Sequence, residues 1–155
     1  VIIPPIMKKS LIYIPIFGLC AYSSGAILVD RKNRKSRKKT LVQAMRRLVT
    51  DLENMMYYPE GSRNKISNAP KDLADIKVPI MKYAYDKKVK LYPVSIYGTN
   101  KLIKRKQLQL GEKVGIIFHP GIDPNDFQTK DEFLEFSWKK VQDGYQELEE
   151  KFAKV

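Results

Sequence analysis

The sequence predicts an α/β domain with a mixed, largely parallel sheet flanked by helices. Short apolar runs suited to strands alternate with stretches whose apolar residues recur at three- and four-residue steps. The 155 residues contain no internal repeat and no Ser/Gly-rich linker, so they read as one domain, long enough to bury a core.

Ser10 to Val29 carries no charge over 20 residues, a length that can cross a bilayer. Pro15, Gly18, Ser23, Ser24 and Gly25 interrupt it, and its β-branched residues disfavour one continuous helix. A broken, partly buried segment is therefore expected, one that can also lie in a membrane interface, ending in a strand over Ala26–Val29. Leu41, Met45, Leu48 and Leu52 then mark an amphipathic helix. Met55–Tyr58 reads as a strand, stopped by Pro59 and followed by the turn-prone Gly61-Ser62. Val78–Tyr85 reads as a helix with Pro79 in its first turn. Val89–Tyr97 is the next strand, where Pro93 implies an edge or a bulge, and Val114–Phe118 is another. Thr129 and Glu132 form a capping box. The long helix it opens should bury Leu134, Trp138, Val141, Tyr145, Leu148 and Phe152.

Charge narrows the partners. There are 29 Lys and Arg against 17 Asp and Glu, a net +12, which favours polyanions or an anionic membrane surface. Seven of the nine residues from Arg31 to Lys39 are basic, and nine of the 17 acids lie between Asp123 and Glu150. The basic run is either a solvated turn or part of an anion site. It contains no aromatic residue, so a base-stacking platform is poorly supported and nucleic acid is not expected as a partner. Cys20 is the only cysteine, which rules out an intramolecular disulfide; in its apolar surroundings it is expected to be buried. His119 is the only histidine, which argues against a histidine-based metal site. It is expected at a strand end without a chemical role.

The most specific segment is Tyr58-Pro59-Glu60-Gly61-Ser62-Arg63. A strand delivers a tight turn in which Gly61 lets backbone approach a ligand. Arg63 presents a planar fork of donors matched to phosphate oxygens. Glu60 would hold that fork or a neighbouring backbone donor, and exposed N–H groups would complete an anion nest. The same residues are compatible with a plain surface turn carrying an i, i+3 ion pair, worth under about 1 kcal/mol.

This segment resembles the FPEGTR motif of the glycerophospholipid acyltransferases, the family of the 1-acylglycerol-3-phosphate acyltransferases. Other blocks follow in the family's order. Lys8-Lys9-Ser10-Leu11 with Ile14-Pro15-Ile16-Phe17-Gly18 is similar to the KKxL…IPFFG stretch. Gly25-Ala26-Ile27-Leu28-Val29-Asp30-Arg31 resembles the GxxFIDR block, and Leu91-Tyr92-Pro93-Val94-Ser95 the hydrophobic IPV block. Ile122-Asp123 before the closing helix fits the family's C-terminal layout. Two positions depart: Ser62 stands for the usual threonine, and Ile76-Lys77-Val78-Pro79 for phenylalanine-lysine-x-glycine.

The resemblance implies acyl transfer from acyl-CoA or acyl carrier protein to the free hydroxyl of lysophosphatidic acid, giving phosphatidic acid without metal or cofactor. Glycerol 3-phosphate or another lysophospholipid is the alternative acceptor, and a non-catalytic basic module binding anionic membrane or nucleic acid is the alternative class. Glu60, Gly61, Ser62 and Arg63 would bind the acceptor's phosphate, with Arg31 and Lys8 or Lys9 adding positive charge. Pro93 and Val94 would shape the acyl-site wall. The family's catalytic His-x4-Asp pair precedes the stretch that begins at Val1, so the chain reads as an N-terminally truncated catalytic domain, inactive alone. A membrane lipid surface, of endoplasmic reticulum or bacterial inner membrane, is the expected location.

Overall fold

The computed structural model describes residues 3–30, 32–51, 54–61, 69–104, 107–109 and 111–153. It divides into two compact units, Val1–Pro59 and Glu60–Val155.

In the first unit β1 (Ile6–Lys8) pairs in parallel with β2 (Ile27–Val29), Ile6 opposite Ile27 and Lys8 opposite Val29. The connection between them is the uncharged stretch, and it is broken as the sequence implies. A 3-10 turn covers Lys9–Tyr13 and a two-turn helix, α1, covers Phe17–Ser23. No helix among the described residues is long and apolar enough to cross a membrane. Gly18 and Ala21 face inward, Gly18 against the backbone of Ile12. Cys20 lies on the opposite face and is exposed, correcting the expectation of burial: a helix this short has only one inward edge, and the small residues occupy it.

Helix α2 (Arg34–Val49) begins at Asn33, whose side-chain oxygen accepts from the N–H groups of Lys35 and Ser36 at 2.9 and 3.2 Å. Thr40 and Ala44 are its buried residues, and the Thr40 hydroxyl donates to the Leu28 carbonyl of β2 at 3.2 Å. The basic residues of α2 are exposed except Arg47, which is half-buried and donates to the Gly25 carbonyl at 2.7 Å. Met7, Ala21, Ile27 and Ala44 make this unit's small core. The strand expected over Met55–Tyr58 is reduced to one parallel bridge, Met56 to Pro5, and Pro4, which has no N–H, cannot extend it towards Asn54.

In the second unit α3 (Pro79–Asp86) starts with Pro79 at its first position and buries Ile80, Met81 and Ala84. β3 (Val94–Tyr97) pairs antiparallel with β6 (Gly115–Phe118), Val94 opposite Phe118 and Tyr97 opposite Gly115. A bridge from Leu91 to Ile122 continues the ladder past Pro93. Between these strands the chain makes a small hairpin, β4 (Ile103–Lys104) with β5 (Gln107–Leu108). Among the described residues no crossover helix intervenes, and the return is antiparallel. The α/β class with mixed strand pairing stands, and among the described residues parallel pairing is confined to the first unit.

Helix α4 (Lys130–Ala153) covers the β3–β6 pair. Thr129 Oγ1 accepts from Glu132 N–H at 3.2 Å, and the Glu132 carboxylate reaches back to Gln128 N–H at 3.3 Å. Of the expected stripe, Leu134, Trp138, Tyr145 and Leu148 are buried, whereas Val141 and Phe152 are half-buried. Phe133, Ser137 and Gly144 are buried as well, so the inward face is wider than one row of residues. Tyr97 of β3 stacks on Phe152 with ring centroids 5.6 Å apart and meets Tyr145 at 5.4 Å.

Candidate functional site

The turn at the end of the Met55–Tyr58 stretch is built from the backbone outward. Tyr57 is half-buried, and burial pushes its phenol up to about 12, so it stays protonated at neutral pH. Pro59 and Glu60 form the bend, and Gly61 follows at φ 64°, a left-handed conformation that glycine adopts without strain.

Glu60 has two possible duties on sequence grounds, holding a guanidinium or holding a backbone donor. Its Oε1 accepts from the Lys71 N–H at 3.3 Å, and the Lys71 ammonium lies 3.5 Å from the Glu60 carbonyl. The carboxylate thus ties residue 60 to residue 71. The same residue is held from α4: Trp138 Nε1 donates to the Lys71 carbonyl at 2.8 Å. A second lysine meets the turn at Gly61. A Cβ placed on Gly61 would lie 2.8 Å from Lys77 Nζ and 3.2 Å from its Cε. Lys77 itself follows buried Ile76 and lies two residues before Pro79, the first residue of α3.

The remaining site residues read from the sequence are distributed as follows. Lys8 closes β1 and Lys9 opens the 3-10 turn, both exposed, in the first unit. Arg31, Ser62 and Arg63 lie outside the described residues. Pro93 is buried and its carbonyl accepts the His119 N–H at 3.0 Å; Val94 is half-buried at the start of β3. The structure brings together Glu60, Gly61, Lys71 and Lys77 in the second unit. Lys71 and Lys77 were missed by sequence reasoning. Lys77 had a signal, the lysine shared with the phenylalanine-lysine-x-glycine stretch, whereas Lys71 had none.

His119 sits just past β6, at a strand end as expected. Its Nε2 lies 2.8 Å from Ser95 Oγ, and that hydroxyl donates to the Val141 carbonyl at 2.8 Å. With its one proton given to Val141, Ser95 accepts, so Nε2 carries the hydrogen. This is the reverse of a serine activated by a histidine base. The pair joins strand to helix and has no nucleophile to offer. Asp123, four residues on, caps the turn Pro124–Asp126 by accepting from Asn125 N–H at 3.0 Å and pairs with Lys90 at 3.3 Å. The Asn125 N–H, more than Lys90, holds its carboxyl below the usual range.

The chain is similar to known proteins. The chain is 31% identical to the 1-acyl-sn-glycerol-3-phosphate acyltransferase of Haemophilus influenzae over 95% of its own length, covering 60% of that protein. It is 27% identical to the Escherichia coli protein of the same name, over 84% of this chain and 51% of that one. The crystal structure of the 1-acyl-sn-glycerophosphate (LPA) acyltransferase PlsC from Thermotoga maritima superposes with a TM-score of 0.70 at 26% identity. That superposition covers 95% of this chain and 57% of PlsC. The chain therefore spans a little over half the length of the relatives it matches. Residues 3–97, which run from before β1 through the Glu60–Gly61 turn to the end of β3, match the Acyltransferase family, and on that match the chain belongs to the acyltransferase family.

Proposed function

We propose that the full-length protein transfers an acyl group from acyl-CoA or acyl carrier protein to the free hydroxyl of lysophosphatidic acid, giving phosphatidic acid. The observation that carries this is the turn at Glu60 and Gly61, left-handed at the glycine and approached by two lysines, in a chain whose relatives bear that activity in their names. Backbone N–H groups of such a turn, with lysine ammonium groups beside them, suit a phosphate monoester. Glu60, Gly61, Ser62 and Arg63 hold the acceptor's phosphate in this reading, with Arg31 and Lys8 or Lys9 adding charge. Pro93 and Val94 belong to the wall of the acyl site. The family match crosses from one compact unit into the other, as expected if both serve one catalytic domain.

The chemistry follows from what a thioester and an alcohol require. A histidine takes the proton of the acceptor hydroxyl, an aspartate orienting it, and the oxygen attacks the thioester carbonyl. The tetrahedral intermediate expels the thiolate, which takes the proton back from the histidine to leave as the thiol, and the new ester is phosphatidic acid. His119 is not that base, because its Nε2 is engaged with Ser95. A His-x4-Asp pair of the full-length protein, outside these 155 residues, fills the role. Bound phosphate supplies no electrons to the step; it fixes the distance between the hydroxyl and the thioester.

The test is acyl transfer from labelled acyl-CoA and acyl carrier protein by the full-length protein, with Arg63→Ala beside it. Phosphatidic acid should form, and the variant should lose about 10- to 100-fold, the value of a charge-assisted bidentate contact. Other lysophospholipids and glycerol 3-phosphate run in parallel identify the acceptor. Silence with every acceptor and donor would refute the enzymatic reading and leave a basic binding module.

Because acceptor and product are lipids, the protein is placed at a membrane surface, of endoplasmic reticulum or bacterial inner membrane. Around α1, Tyr13, Ile16, Leu19 and Tyr22 are 70–81% exposed. Ile16 is turned outward at φ 64°, a conformation a β-branched residue holds only at a cost. An aromatic and aliphatic face of this kind, in the same unit as the basic run of α2, suits an anionic lipid surface. Leu19→Glu together with Tyr22→Glu should slow acylation of lysophosphatidic acid in vesicles several-fold while sparing the same substrate in detergent micelles. Equal rates on vesicles would remove this surface from the reading.

A further inference from the structure

We propose that Lys77 is a phosphate-binding residue for the acyl acceptor and selects a phosphate monoester over a phosphodiester, an inference that rests on the acyltransferase reading above. Three observations converge on it. The last three atoms of its side chain lie across Gly61: a Cβ there would be 2.8 Å from Nζ, 3.2 Å from Cε and 3.4 Å from Cδ. A side chain at this position would displace the end of the lysine, so Gly61 leaves room for it as well as supplying the left-handed turn. The base of Lys77 is fixed, with buried Ile76 on one side and Pro79 at the first position of α3 on the other. The turn is fixed independently, Glu60 being tied to Lys71 and Lys71 to Trp138. The turn is therefore anchored before a ligand arrives, and the lysine reaches over it from a fixed base, so less freedom is lost on binding than from two mobile segments.

The chemistry of the group defines its preference. An ammonium is a compact charge with three donors, so it can serve a ligand oxygen beside any protein acceptor. Lysophosphatidic acid carries a monoester that gives up its second proton at a pKa near about 6. Lysophosphatidylcholine carries a diester with a single charge and a quaternary ammonium beyond it. An extra fixed cation over the turn stabilises the doubly charged monoester more than the diester.

The experiment uses the full-length enzyme with Lys77→Met and Lys77→Arg. For Lys77→Met, KM for lysophosphatidic acid should rise about tenfold, equivalent to about 1.4 kcal/mol. Its kcat and its KM for the acyl donor should stay near wild type, the latter reporting an intact fold. The preference for lysophosphatidic acid over lysophosphatidylcholine should shrink by a similar factor. The rise of KM as the pH falls through the second phosphate ionisation should flatten, which a merely structural lysine would not cause. Lys77→Arg should restore part of the affinity. A wild type active on lysophosphatidic acid whose Lys77→Met variant keeps KM, selectivity and pH profile overturns this proposal alone. A wild type inactive on lysophosphatidic acid overturns the acceptor assignment and this proposal with it.

Discussion

Replacing Phe133 with alanine is expected to destabilise the protein by about 3–5 kcal/mol, the usual cost of deleting a fully enclosed aromatic ring. Phe133 is 0% exposed. Its ring meets Tyr85 of α3 and Phe127 of the loop before α4, each at a centroid separation of 5.5 Å. The neighbours cannot easily close over the void, because the Tyr85 hydroxyl is held by the carbonyls of Phe127 and Gln128 at 3.2 and 3.1 Å. A domain stability of about 5–15 kcal/mol would lose a large part of itself. The unfolding midpoint of the purified full-length protein, followed by near-ultraviolet circular dichroism, should fall by about 10 °C or more. Phe133→Leu, which keeps most of the volume, should fall by a fraction of that. If Phe133→Ala moved the midpoint no more than Phe133→Leu, the docking of α3 on α4 through this ring would be wrong.

Gly144→Ala is a test decided by sign. Within a helix, alanine is better than glycine by about 1 kcal/mol, so an unobstructed site would be stabilised. Gly144 is buried in α4, and a Cβ there would fall 2.5 Å from both His119 Nε2 and Ser95 Oγ. Neither atom can withdraw freely. Ser95 is fully buried and donates to Val141, and the imidazole is a rigid ring following β6. Overpacking of this kind costs about 1–3 kcal/mol and more where a buried hydrogen bond must break. The net expectation is destabilisation by about 2 kcal/mol despite the better helix former. Combining the change with His119→Ala should recover part of the loss, giving a coupling that a double-mutant cycle reads directly. A stabilised Gly144→Ala would mean that α4 stands further from β3 than described.

The contrast between these positions and the sequence reading is instructive. Where one residue decides local geometry, the sequence was sufficient: Pro79 opens α3, and Thr129 with Glu132 opens α4. The breaks in the uncharged stretch followed from Pro15 and Gly25. Periodicity found one row of α4 but not Phe133 beside it, since a three- and four-residue step traces a line and the helix buries a band. Gly144 and Ser95 look unremarkable as letters; their importance comes from β3, β6 and α4 meeting at one point, a non-local fact. Strand direction was likewise hidden in the connection. Among the described residues, the stretch between β3 and β6 holds a hairpin and no helix, which sets the pair antiparallel. The turn at Glu60 and Gly61 was legible as a motif. Its lysines arrive from residues 71 and 77, and Lys71 carried no pattern of its own.

The tie from Trp138 through Lys71 to Glu60 has a consequence for genetics. A helix at the far end of the chain holds in position the turn proposed to bind the acceptor's phosphate. Selections for altered acceptor use should therefore return changes in α4 around Trp138, at a remove of 67 residues from Lys71. Such alleles would resemble binding-site mutants in kinetics while growing normally at low temperature. Second-site changes near Glu60 that re-seat the turn would suppress them.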